Sequence, residues 1–228
     1  MKKYHYSSNQ QAELAKLLNG IARVKSSLWQ VFQDFVALAA IAISNSVDKK
    51  QYEEREDEYL EIAKRYSRDH MNAFSHGLAL VVEGLESGFQ DFLGQLFMAL
   101  NLGDSWKGQF FTPYTVSFMM ANIQMGNKDE LARDIRDGCG FITISDPAVG
   151  GGVMLIASAQ AMEETGINYQ LHMHTTGMDI SIVAVHMAYI QLSLLHVPAI
   201  IEHKDSLSPA PPWSIWKTPA HILGGGGI

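Results

Sequence analysis

The stretch Phe141-Ile142-Thr143-Ile144-Ser145-Asp146-Pro147-Ala148-Val149-Gly150-Gly151-Gly152 constrains this chain more than any other. An apolar, β-branched run of strand length ends in an acid, turns through three consecutive glycines and opens into a helical pattern at Val153. Glycines at such a turn admit positive φ and let the backbone approach a ligand with no Cβ in the way. The pattern then alternates: helix Val153 to Glu164, strand His172 to Thr176, helix Ile182 to Leu195, strand Ala199 to His203. A short fourth strand is expected near Ala220 to Leu223. Strands separated by single helices imply right-handed crossovers and a parallel sheet, hence the α/β class. Ligands of such sheets lie beyond the carboxyl ends of the strands. The sequence places Asp146, Asp179 and Asp205 at those ends.

From about Gln10 to Leu102 the spacing is helical instead, with Leu14, Leu17, Leu18, Ile21, then Leu28, Val31, Phe32, Phe35, and again Leu85, Phe89, Phe92, Leu93, Leu96. Four or five helices and no strand are expected there, which divides the chain into a helical region 1–102 and an α/β region 103–228. Between Lys49 and Arg68, the side chains of Glu54, Glu58, Glu61, Lys64 and Arg65 read as a solvated helix face laced with i,i+4 pairs. The methionines, among them Met119, Met120, Met154 and Met187, read as core packing.

Composition excludes several classes. With Cys139 as the lone cysteine there is no intramolecular disulfide and no multi-cysteine zinc site, and a reducing cytoplasm is the expected compartment. The apolar run Phe35 to Ile43 is about half of what a membrane span needs, and Asp34 abuts it, so no membrane association is expected. The histidines after residue 170 have no dependable ligand spacing, although His172 and His174 fall on one face of the expected strand, so no metal site is expected. Residues 101–228 carry 6 Lys+Arg against 11 Asp+Glu, a net of −5. Phosphate contacts come from cations. A nucleic-acid substrate would therefore need a patch such as Lys16, Arg23 and Lys25, or another chain.

Four strings in this order, Gly108-Gln109-Phe110-Phe111-Thr112-Pro113, Asp146 to Gly152, Gly177-Met178-Asp179-Ile180 and His203-Lys204-Asp205-Ser206-Leu207, carry a resemblance. Together they resemble the adenine-N6 DNA methyltransferases, in particular the modification subunits of type I restriction systems and their plasmid and phage relatives. The resemblance spans about residues 90 to 207. It implies a Rossmann-like, S-adenosylmethionine-dependent methyltransferase sheet preceded by an all-α region. Its implied cofactor residues are Phe111, Thr112, Asp146, Ala148, Gly150, Gly152, Asp179, Ile180, Asp205 and Ser206. In the family the glycine loop wraps the methionine part of the cofactor and an acid in the place of Asp179 takes the ribose hydroxyls. An acid at the position of Asp205 accepts from the cofactor's adenine amino group, and a threonine like Thr112 holds its carboxylate.

The sequence also departs from the family. Its glycine loop usually reads Asp-Pro-Ala-Cys-Gly-Ser-Gly, so Val149 and Gly151 differ. The Asp/Asn-Pro-Pro-aromatic tetrapeptide that accepts from the target amino group is missing, so no catalytic residue is identified. Ala210-Pro211-Pro212-Trp213 has alanine in the first place and follows Asp205 too closely, although Trp213 or Trp216 is conceivable as a stacking platform. Three or four strands stand where the family sheet has seven, which leaves the first with a bare edge. A shortened relative, a compact enzyme with unrecognised catalytic residues, or a module that pairs with another chain would each account for this. The expected function is adenine-specific DNA methylation in a restriction-modification system, with DNA bound with help from another chain and assembly as a homo-oligomer or partner subunit. The alternative is a catalytically silent cofactor- or DNA-binding regulatory module. A dinucleotide-dependent oxidoreductase is disfavoured because the glycines do not match Gly-x-Gly-x-x-Gly.

Overall fold

The computed structural model describes residues 6–25, 27–102 and 112–224. The chain divides into two compact units, one of residues 1–88 and 92–111, the other of residues 89–91 and 112–228.

The first unit is helical throughout its described residues: α1 (Asn9–Lys25), α2 (Leu28–Val47), α3 (Tyr52–Ala63), α4 (Arg68–Glu86) and α5 (Phe92–Ala99). Ser27 and Ser67 start α2 and α4 by accepting from the backbone N–H of Gln30 and His70, satisfying donors that a helix start otherwise leaves orphaned. The apolar stripe from Leu85 to Leu96 is not one helix, because Gly88 at φ +137° breaks it between α4 and α5. Leu14, Leu18, Phe32, Phe35, Phe92 and Phe97 are fully buried in the core. Each such side chain contributes about 1.5–3 kcal/mol through its removal from water.

The α2 helix is 20 residues long, and its most apolar 18-residue stretch has mean hydropathy 1.3, long and apolar enough to cross a bilayer, yet 67% of that stretch is buried within the protein. Its Asp34 is buried as well, accepting from Gln30, Arg65 and the Tyr66 hydroxyl. These are the features of a core helix. The charged segment is only partly the solvated face expected of it. Lys64 and Glu61 pair in the open, but Arg55 is buried and reaches Ser44, Gln51 and Asp48, and Arg65 is spent on Asp34.

The second unit runs α6 (Tyr114–Met125), α7 (Lys128–Asp137), β1 (Ile142–Asp146), α8 (Val153–Glu164), α9 (Tyr169–His172), β2 (Met173–Asp179), α10 (Ile182–Leu194), β3 (Ala199–His203), β4 (Ser214–Lys217) and α11 (Pro219–Leu223). It is an α/β, Rossmann-like arrangement with strand order β1-β2-β3-β4; β1, β2 and β3 are parallel and β4 is antiparallel to β3. The steps β1 to β2 and β2 to β3 go the same way, so right-handed crossovers place α8 and α10 on one face, where they pack on the sheet and on each other. Buried from end to end, α10 shows no polar face from Val183 to Ser193. Among the described residues β1 is paired on one side only.

Three expectations are corrected here. The segment Ala220 to Leu223 is helical, not a strand, because Thr218 caps its start with Pro219 at the first helical position; the fourth strand is Ser214–Lys217. His172 closes α9 instead of sharing a strand face with His174. Met119 and Met120 are exposed, in a stripe with Val116 and Ile123, because α6 turns its other side to α8.

Candidate functional site

The carboxyl ends of β1 and β2 stand at neighbouring levels, since the register pairs Asp146 with Gly177 and Asp179 with His203. A loop built almost wholly from backbone contacts joins β1 to α8. Asp146 Oδ1 accepts from the Ala148 N–H at 3.0 Å, a turn that aspartate forms readily. The Val149 N–H donates to the Met178 carbonyl at 2.8 Å, lashing the loop to β2. The chain then passes through Gly150 at φ +52° and Gly152 at φ +94°, conformations that an L side chain strains to adopt. Gly152 is the left-handed N-cap of α8, and no side chain caps that helix start.

Asp179 is the anchor of the loop. Its Oδ2 accepts from the Gly150 N–H at 3.0 Å and its Oδ1 from the Ser181 N–H at 2.8 Å. It is 8% exposed, and each oxygen keeps a second lone pair for an incoming donor. Burial pushes the Asp146 carboxyl above its ordinary value; the Ala148 N–H pulls the other way and the charge of Asp179 adds to the rise. Two carboxylates beside one loop, one of them resisting ionisation, suit a ligand that brings hydroxyl or amine donors or a positive charge.

Beyond β2, Ile180 is 58% exposed and its carbonyl meets His203 Nε2 at 3.1 Å. The Lys204 N–H donates to the Asp179 carbonyl at 3.0 Å, drawing the exit of β3 against that of β2. The next residue, Asp205, is half-buried and accepts from the Leu207 N–H at 2.9 Å, with Ser206 exposed in the turn. Asp146 and Asp179 thus close β1 and β2, and Ala148, Gly150, Gly152, Ile180, Asp205 and Ser206 lie on the loops leaving that same end of the sheet. Thr112 is exposed, one residue before the Pro113 cap of α6, and among the described residues no hydrogen bond ties it to the others. Phe111, with Gly108 to Phe110, lies outside the described residues.

Sequence reasoning misses two participants and the packing role of a third, Gly177. Gln191 and Asp91 reach the loop at Gly151, and Gly177 makes room for Val149: a Cβ at 177 would stand 2.8 Å from Val149 Cγ2. A lone amide inside the apolar run of α10, and a lone acid between Phe89 and Phe92, were the available signals, since a buried polar group is the informative exception. Trp216 is no stacking platform. It is 3% exposed and packs against His186 and Tyr189, whereas Trp213 is 62% exposed beside His203. His174 Nε2 and His221 Nδ1 share a buried hydrogen bond of 2.9 Å, and among the described residues no third ligand joins them.

The family model for N-6 DNA methylase matches residues 94–222 of this chain. No curated protein matches it. Among solved structures, it is similar to a protein of Listeria monocytogenes described as a class I S-adenosylmethionine-dependent methyltransferase, at 18% identity and TM-score 0.47, over 88% of this chain and 55% of that one. It is also similar to the methyltransferase subunit of a type I restriction-modification system of Streptococcus thermophilus, at 16% identity and TM-score 0.43, over 92% of this chain and 61% of the other. The chain thus spans less than two thirds of either.

Proposed function

Because the chain belongs to the N-6 DNA methylase family, we propose that its second unit binds S-adenosylmethionine at the carboxyl ends of β1, β2 and β3 for transfer of a methyl group to adenine N6 in DNA. The observation that carries this is the hydrogen bond from Gly150 to Asp179, which couples the glycine loop to the acid that ends the next strand. The residues present fit the cofactor: positive-φ glycines give a backbone cradle, and two neighbouring carboxylates, with Asp146 pushed up by burial, suit a ligand bearing hydroxyls and a cationic centre. When bound, the cofactor supplies a methyl group activated on a sulfonium. Asp179 uses its remaining lone pairs to accept from ribose hydroxyls while it holds the loop, and Gly150 and Gly152 leave room for the methionine tail. Ile180, exposed above Asp179, offers an apolar wall, and the turn at Asp205 and Ser206 presents polar groups to the adenine edge.

The sequence holds no Asp/Asn-Pro-Pro-aromatic tetrapeptide, and residues 101–228 are acidic. We infer that DNA is held with help from another chain and that the isolated protein transfers methyl groups weakly. Calorimetry with S-adenosylhomocysteine tests the binding half, and a tritiated-methyl assay on mixed-sequence DNA tests the other. Saturable binding that Asp179→Ala weakens by about 1.5–3 kcal/mol is expected, the usual worth of charge-assisted hydrogen bonds. No heat at millimolar ligand would refute the reading of the site. Turnover by the isolated chain near the enzyme median of about 10 per second would refute the need for help.

A further inference from the structure

We propose that Gln191 and Asp91 form a buried positioning device that holds the glycine loop in the shape the methionine part of the cofactor requires. The inference rests on the proposed cofactor site and adds to it two residues far from the ligand strings. Gln191 is fully buried in α10, and its Nε2 lies 2.7 Å from the Gly151 carbonyl and 2.9 Å from Asp91 Oδ1. A side-chain amide carries two hydrogens, so one nitrogen makes both bonds at once. Asp91, 2% exposed, accepts one hydrogen and so fixes the amide's rotation, leaving the second hydrogen to point at Gly151. The loop is therefore gripped from both sides: Asp179 holds the N–H of Gly150 and Gln191 holds the carbonyl of Gly151.

The glycine at 151 fits the same design. A Cβ there would stand 2.9 Å from Asp91 Oδ1 and 3.4 Å from its Oδ2, so the carboxylate occupies the room a side chain would take. This is one of the two positions where the loop departs from the family's usual string, which has serine. Burying an amide and an acid inside an apolar helix layer is costly unless both are satisfied. Here the Gln191 amide ties the acid to the loop through a single nitrogen, and neither helix nor sheet needs these bonds for its own ladder.

The experiment uses the full chain with Gln191→Met, which conserves volume and removes the donor, Gly151→Ala, which displaces the carboxylate, and Asp91→Asn, whose amide oxygen still accepts. Each is titrated with S-adenosylhomocysteine and with adenosine, which lacks the amino-acid tail, and backbone amide exchange is followed at residues 148–152. Gln191→Met and Gly151→Ala should each weaken S-adenosylhomocysteine roughly 5- to 30-fold, the span of one or two lost hydrogen bonds. Adenosine should bind as it does to the parent, and the loop amides should exchange faster. The double variant should lose little more than either single one, and Asp91→Asn should stay within about threefold of the parent, as expected when one shared interaction is at stake. Equal losses for both ligands, or parent-like binding of S-adenosylhomocysteine by Gln191→Met, would overturn the proposal. If the parent binds neither ligand, the cofactor reading falls and the positioning role falls with it; loop exchange unchanged by Gln191→Met would refute the grip itself, with or without ligand.

Discussion

Gly177→Ala probes how the glycine loop is seated. Residue 177 lies in the central strand β2, opposite Asp146 on one side and Ile201 on the other, and its φ is not positive, so alanine meets no backbone obstacle. The obstacle is space. The new Cβ would stand 2.8 Å from Val149 Cγ2 and 3.0 Å from both Val149 Cβ and Ile201 Cδ1. Val149 cannot swing away, because its N–H is bound to Met178 and its β-branched side chain is 2% exposed. Overpacking of this kind costs about 1–3 kcal/mol, against which glycine-to-alanine replacement returns about 0.4–1 kcal/mol by restricting the unfolded chain. The clash wins, for a net loss of about 1–2 kcal/mol. Val149→Ala alone should cost about 2 kcal/mol through lost burial and the cavity left behind. The double variant should be less destabilised than the sum by at least about 1 kcal/mol, because the added methyl fills the space the valine vacates. Calorimetric unfolding of the four proteins measures this. Strict additivity, or a Gly177→Ala protein as stable as the parent, would refute the claim that Val149 is seated in the hollow of Gly177.

Asp179→Asn should be nearly as damaging as Asp179→Ala to stability and to cofactor titration. Both carboxylate oxygens accept backbone donors, so an amide would turn its own donor onto one of them; parent-like binding by the asparagine variant would contradict this. Asp146→Asn should raise the melting temperature at pH 7 while weakening the cofactor. A carboxyl raised by burial contributes its stability below the ordinary value of 3.8 and loses it as pH rises through the folded value, so the ionised group is a burden at neutral pH that the amide removes. The gain should vanish near pH 3.8, and a variant that melts lower at pH 7 would refute it. His174 and His221 are both held below the ordinary 6.5 by burial, with the charges of His174 and Lys217 adding at His221. Their stability is full above about pH 6.5 and is lost as pH falls below it, because the unfolded imidazoles take up protons first. His174→Phe should flatten the fall in melting temperature across that window, and an unchanged slope would assign the acid sensitivity elsewhere.

The local pattern of the chain is enough to read helix α8, strand β3 and the alternation of three strands with α8 and α10 between residues 141 and 203, though not the short α9, because side-chain period, glycine and proline act within a few residues of themselves. It was also enough to place acids at the strand ends, since a strand that stops at Asp146 or Asp179 carries that acid to the sheet's edge wherever the sheet lies. It could not show that Asp179 spends both oxygens on the backbone, that Val149 fills the hollow of Gly177, or that Gln191 meets an acid one hundred positions earlier in the sequence. Those contacts depend on strand register and on how α10 lies on the sheet, which no local period encodes. The fourth strand was misplaced for the same reason. Ser214–Lys217 is a strand because it finds the free edge of β3, and Pro219–Leu223 is a helix because Thr218 caps it. Sequence set which residues could make a cradle at the end of a sheet, and packing at long range decided which of them hold it in shape.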